Sequence, residues 1–412
     1  MSRLGPLRLR AFRLVFLARA TSSVGDALIF VAAAFAVLHV GGTASDLGLL
    51  LATGTVVRLV LLLVGGVWAD RLPRQLVMLS MDAVRGVVEA GVGVLLITGH
   101  ARLWHLFAGF VLHSAASAFF GPASDGLTPQ LVPRDEIAPA SALLDLTRSV
   151  PAIAGPVVSG VIVAAAGAGW VFVVDAVSFL LSALCLAAVR LPPREPRPRS
   201  QFLAELREGW HAVASRPWYW QNLVTHAMWN FAWPFFSVLG PVIAARSLGG
   251  AGAWGAISGA TGAGFVVGSL VVLRMRPARP LVVGNLALTL AAVPLLMLAG
   301  PLPAWAIAAG CIPAMAGLAL LNALWSGVVG ARLPEHVLSR ANSIDWVISL
   351  VVNPAGLALA GPLAAQLGFG TTLVIAAAIV AVPSFLVTLV PSVRGVTREP
   401  PPPEPAAAVT LP

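Results

Sequence analysis

The chain has 412 residues, 58% of them hydrophobic and only 10% charged, with a mean hydropathy of +0.89. A soluble domain carries about 25% charged residues, so a surface made for water is excluded and the chain is read as a polytopic membrane protein. The formal charge is +9 with no lysine in the sequence, and the arginines fall in short clusters between apolar runs, which excludes a basic face able to lie along nucleic acid.

Runs of about 20 apolar residues read as membrane helices. They predict spans at 14–38, 47–68, 76–98, 103–122, 141–165, 169–190, 218–243, 252–273, 280–300, 303–329, 342–365 and 371–391. The first is preceded by Arg3, Arg8, Arg10 and Arg13, but it is too long for a signal-peptide core and lacks a small-residue cleavage site, so it is read as retained. The fold class is therefore all-α, with twelve transmembrane helices. Residues 1–190 form an N-terminal six-helix bundle and 191–217 a cytoplasmic linker. Residues 218–391 form a C-terminal six-helix bundle, and 392–412 a low-complexity, disordered tail. Within the linker Phe202, Leu203, Leu206, Trp210 and Val213 recur at helical spacing opposite Glu205, Arg207 and Glu208, the pattern of an amphipathic surface helix.

Outside the spans, every arginine except Arg102 and Arg246 falls on the side of the N-terminus. By the positive-inside rule both termini are cytoplasmic. Cys185 and Cys311 both sit inside apolar runs, so neither a disulfide framework nor a metal site is expected, and no cofactor is implied.

The halves repeat. "VPRDEIAPASALLDL" (132–146) and "LPEHVLSRANSIDWV" (333–347) both run from a proline through an alanine into a span, and Gly155-Pro156 is matched loosely by Gly361-Pro362. Two parallel six-helix halves around a central cavity make a transporter architecture. "GGVWADRLPRQ" (65–75) concentrates charge directly after an apolar run. As a plain positive-inside anchor it would need arginine but neither the acid nor the glycine spacing.

That loop, in this arrangement, resembles the signature G-x-x-x-D-R-x-G-R-[RK] of the major facilitator superfamily. Gly66, Asp70, Arg71 and Arg74 match it, while Pro73 and Gln75 depart from it. "SSVGDAL", "FFGPASDGLTPQLVPRDEI", "GPVVSG" and "DAVSFLLSAL" extend the resemblance to the branch that holds macrolide-efflux proteins and the enterobactin exporter. The resemblance implies a monomeric secondary transporter working by alternating access. In it Asp70 meets the start of helix 11 near Ser339 to Asn342 and Arg74 pairs with Asp125, so that the cluster latches the halves together. It also marks Gly155, Pro156 and Gly160 in helix 5 as an exporter motif, with Ser159 replacing one of its glycines. An importer of a small metabolite is the alternative.

The glycines of helix 8 make a packing face and not a phosphate loop, since no strand precedes them and no GK[ST] follows. No hydrolase or metalloprotease motif occurs, so no enzyme is expected. His226, Trp229, Asn230 and Trp233 in helix 7, with Asn322 and Trp325 in helix 10, are candidates for the cavity wall, the tryptophans either stacking on a ligand or packing. His226 and His113 read first as packing or hydrogen-bonding residues. The few charges point to amphiphilic substrates such as drugs, macrolides or siderophore-like metabolites. Asp26 falls near the middle of helix 1, about 18 Å along it, where an uncompensated charge is costly. Arg58 lies at comparable depth, and Arg85 and Glu89 stand at i and i+4 of helix 3. Two readings of Asp26 remain: a permanent Asp26–Arg58 pair, or a proton carrier that makes protons the coupling ion, with Glu89 the next candidate.

Overall fold

The structure is a computed structural model that describes residues 5–69, 73–189, 210–211, 213–300 and 302–398, the side chains of 63–69, 125, 129, 335, 336 and 339 excepted. Most of the expected surface helix of the linker, and the tail beyond 398, lie outside the described residues. The described part is all-helical. The first half comprises α1 (Arg10–His39), α2 (Ala44–Ala69), α3 (Arg74–Ile97), α4 (Leu103–Leu131), α5 (Ile137–Ala166) and α6 (Ala168–Ala187). The second begins with α7 (Pro217–Ile243) and α8 (Ala251–Val272). One span is then split into α9 (Pro280–Leu288) and α10 (Ala292–Ala299) by a 3-10 turn. It is followed by α11 (Ala304–Arg332), a second split span of α12 (Glu335–Val351) and α13 (Asn353–Leu367), and α14 (Phe369–Leu386).

Eleven of these spans are long and apolar enough to cross a membrane. The twelfth, α3, has the length at 24 residues but carries Asp82, Arg85 and Glu89 in its interior, which lowers its hydropathy without shortening it. Those three charges stand on one side of the helix, turned toward other helices rather than lipid.

Glycine sets two matching corners. Gly167 (φ 91°) and Gly368 (φ 82°) both take the left-handed half of backbone space that side chains avoid, and they start α6 and α14 respectively. The offset separating them is the one separating Pro133 from Pro334, so the repeat read in the sequence extends to backbone conformation. In the broken span Pro354 supplies no N–H to the preceding turn, and the chain restarts as α13.

Apolar burial discriminates little between helix surface and lipid, so close approach of small residues decides which faces meet. In the first half α1 packs on α5 and α6, and α3 on α4 and α6. In the second α8 and α9 pack on α11, and α7 on α13 and α14. The halves join along α5–α8 and α2–α13. A β-carbon on Gly160 would stand 2.6 Å from the Ala251 carbonyl oxygen and 3.0 Å from Cα of Gly255, so two backbones touch there. Gly48 abuts the Leu357 carbonyl and Gly361 the backbone of Ser45. These contacts lie toward the end of the bundle opposite the 65–75 loop, whereas α12, at the loop end, packs mainly on α7 of its own half.

Candidate functional site

Asp82, Arg85 and Glu89 recur at i, i+3 and i+7, so α3 presents them on one stripe. All three are buried, at 0%, 2% and 3% exposure. Arg85 is the hub. Its guanidinium bonds Asp82, stands 3.6 Å from Asp26 Oδ1 of α1, and lies 4.6 Å over the Phe120 ring and 4.1 Å over Phe179. Two aromatic faces and two carboxylates replace the water this cation gives up. Asp82 also accepts a hydrogen bond from the Ser182 hydroxyl of α6.

His113 of α4 joins two acids. Its Nδ1 is 2.8 Å from Glu89 Oε1 and its Nε2 3.5 Å from Asp26 Oδ1. Asp175 of α6, fully buried, accepts from the Ser178 hydroxyl at 3.2 Å and presses against Gly25, where a β-carbon would overlap its carboxylate. Glu89, His113 and Asp175 each offer a ligand-type atom within 4.8 Å of the others, close enough to share one cation. Asp26 alone reaches outward: its side chain is 43% exposed, against 2% for Arg85 and 4% for Glu89. The site is therefore a sealed polar interior with one half-exposed acid at its edge.

Arg58 does not pair with Asp26. It is exposed on α2 and has no hydrogen-bond or ion-pair partner among the described residues. Equal depth in two helices brings side chains together only when both helices turn them toward each other, and Arg85 holds that position. Arg85 in turn meets Asp82 and Asp26, whereas Glu89 goes to His113. Asp82 and Asp175 also belong to the site. Spacing signalled Asp82, on the same stripe as Arg85 and Glu89. The signal for Asp175 was "SSVGDAL" itself, since Gly25 is small because an acid lies against it.

Asp70 and Arg71 lie outside the described residues, as do the surroundings of Gly66 and the side chain of Asp125. Arg74 donates to the Gly126 carbonyl at the end of α4. Gln75, which departs from the loop signature, donates to the carbonyls of Leu186 and Val189 at 2.6 and 2.7 Å and so caps α6. In helix 5, Gly155 packs on Ala27 next to Asp26, Ser159 donates to the Leu28 carbonyl at 2.6 Å, and the Pro156 carbonyl oxygen faces Gly255.

The candidates in the second half form two groups. Trp325 donates to Asp345 at 2.6 Å, with the His226 ring 5.1 Å away edge-on. Trp229 and Trp233 stack at 5.9 Å along α7, and Trp233 continues onto Phe236 at 4.7 Å. The buried His226 Nε2 and Trp229 Nε1 atoms have no hydrogen-bond partner among the described residues. Asn230 donates to the His226 carbonyl and Asn322 is exposed on α11.

Paired six-helix halves, a seam of small residues and ionisable groups held inside the bundle define a membrane transport protein rather than an enzyme. A family model of the Major Facilitator Superfamily matches residues 15–351, and the chain belongs to that family. Among curated relatives it is 27% identical over 365 residues to the enterobactin exporter EntS of Shigella boydii serotype 18, covering 87% of this chain and 86% of that one. It is 26% identical over 368 residues, with the same coverage, to EntS of Escherichia coli O1:K1. Among solved structures, a bacterial homologue of the human lysosomal transporter Spinster, inward-facing and unoccupied, aligns with a TM-score of 0.70 at 16% identity, covering 92% of this chain and 96% of that one. A POT family transporter in complex with 5-aminolevulinic acid aligns at 0.72 and 10% identity over 92% and 96%. These likenesses carry the fold. The protein is a multi-pass integral membrane transporter of small molecules.

Proposed function

We propose that the protein is a proton-coupled exporter of amphiphilic small molecules, working by alternating access as a monomer in the cell membrane with both termini cytoplasmic. One observation carries the coupling: Asp26, midway along α1 and 43% exposed, touches both Arg85 and His113. A proton arriving on Asp26 removes its attraction for Arg85 and frees the guanidinium to turn wholly to Asp82. Protonation thereby changes how α1 is held against α3, the kind of differential contact that can bias two states. Export is supported by the curated relatives and by the glycine–proline pattern of helix 5. Residues 1–190 and 218–391 act as the two moving bundles. Between them stand the aromatic groups around Trp229, Trp233 and Trp325 as the apolar wall, and the loop from Gly66 to Arg74 as the latch.

The test is uptake of a radiolabelled macrolide and of a catecholate siderophore into inside-out vesicles under an imposed pH gradient. Accumulation against the gradient is expected in the wild type and lost in Asp26→Asn, with protein abundance and probe binding retained. Near-normal pumping by that variant removes Asp26 as the carrier. Accumulation in right-side-out vesicles instead establishes import.

A further inference from the structure

The buried cluster holds more acid than it can neutralise. From α1 it receives Asp26, from α3 Asp82, Arg85 and Glu89, from α4 His113 with the Ser117 hydroxyl, and from α6 Asp175 with Ser178 and Ser182. Four carboxylates thus face one guanidinium and one imidazole. The guanidinium is committed to Asp82 and Asp26, which leaves Glu89 and Asp175 with His113 alone. Their ligand atoms lie within 4.8 Å of each other, and Glu89 Oε2, Asp175 Oδ2 and His113 Nδ1 are all buried with no hydrogen-bond partner among the described residues. Nδ1 stands 2.8 Å from Glu89 Oε1 but out of line for a hydrogen bond until the ring turns. Like charges this close, away from water, do not both stay ionised.

We propose that Glu89 and Asp175 share one proton in a second site sealed from the cavity, and that His113 passes this proton to and from Asp26. The inference rests on the reading of Asp26 as the cavity-side proton acceptor. The transfer balances: the carboxyl of Asp26 gives its proton to Nε2 of His113, and Nδ1–H of the resulting imidazolium goes to Glu89 Oε1. The imidazole ends neutral with its proton moved from one nitrogen to the other, Asp26 ends ionised, and Glu89 ends as a carboxyl beside Asp175. The two His113 contacts, 3.5 Å to Asp26 and 2.8 Å to Glu89, are the two ends of that path. A proton suits the site better than a divalent ion, because both imidazole nitrogens already face carboxylates and Arg85 sits beside them.

Infrared difference spectroscopy on the transporter in lipid nanodiscs tests the idea without a transport substrate, since protonated carboxyl groups have their own carbonyl stretch. One such band is expected to persist at neutral pH and to vanish in both Glu89→Gln and Asp175→Asn. Its exchange in deuterated water is expected to slow by at least about tenfold in His113→Gln. A band untouched by both carboxamide variants overturns the shared proton, and an unchanged exchange rate in His113→Gln overturns the relay. One Mn²⁺ or Zn²⁺ bound per protein, lost in Glu89→Gln, makes it a metal site instead. If Asp26→Asn still pumps while the band behaves as expected, the coupling reading fails and the sealed proton stands.

Discussion

At the scale of single residues, Arg85 carries the largest consequence. It is the cation that permits Asp82 to sit at 0% exposure inside the bundle. Removing one partner of a buried ion pair costs about 3–5 kcal/mol because the other charge is left unpaired. Arg85→Leu is therefore expected to cut membrane abundance and lower the thermal unfolding midpoint in detergent, and Asp82→Asn placed on top of it should restore part of the loss. If Arg85→Leu accumulates and melts like the wild type, the cluster is not held as described. Arg58→Ala should lie within about 0.5 kcal/mol of the wild type in the same assay, since the side chain is exposed and meets no partner among the described residues. The sequence made the presence of charges in α1 and α3 legible, because a charge within an apolar run is conspicuous. It concealed which charge meets which. That is set by the rotation of each helix about its axis, and a slip of one residue turns a side chain by about 100°.

Among the elements, the joint between α3 and α6 shows how a departure from a motif can be structural. The loop signature asks for a base where Gln75 stands, and a base has no acceptor. Gln75 gives its two amide hydrogens to Leu186 and Val189, at the end of a helix whose last carbonyls lack partners. Gln75→Ala is expected to destabilise the first half by about 1–2 kcal/mol and to hasten hydrogen exchange at the end of α6. Gln75→Arg should restore donors and most of the stability. Unchanged exchange at Leu186 to Val189 in the alanine variant would mean that the cap contributes nothing. α4 continues to Leu131 and α12 starts at Glu335, well outside the predicted 103–122 and 342–365, but most span positions were readable to within a few residues from apolar run length alone. The breaks at 289–291 and 352 were not, because a membrane helix tolerates proline and nothing in an apolar run marks the turn where hydrogen bonding lapses.

Across the whole molecule, glycine closes the seam between the halves at the end opposite the 65–75 loop, as far as the described residues run. Gly160 and Gly255 are in backbone contact, and a larger residue there has nowhere to go. Overpacking of this kind costs about 1–3 kcal/mol, here borne only by the state in which the seam is shut. Gly160→Leu is thus expected to shift the balance of the two states by roughly 5- to 150-fold and to open the end of the bundle where α2 meets α13. Spin-label distances between those two helices should lengthen. A distance distribution identical to that of the wild type would show that the seam does not gate the transporter. The repeat was legible from two proline-led segments; the seam itself was not, because the glycines of α5 and α8 could have faced any neighbour.

The broken span has a mechanical consequence. Its upper piece, α13, is seated on α2 by Gly48 and Gly361, its lower piece, α12, packs mainly on α7, and the two meet where Pro354 has removed a backbone bond. Such a rod bends at one joint instead of flexing along its length. If the bundle alternates as proposed, the seated piece is the fixed arm and the other is the one expected to swing about this joint. Substitution at Val352 should therefore slow transport into vesicles without lowering the thermal unfolding midpoint, whereas Gly356, one turn on and pressed against the Phe231 carbonyl, has no room for a side chain and should lose stability as alanine.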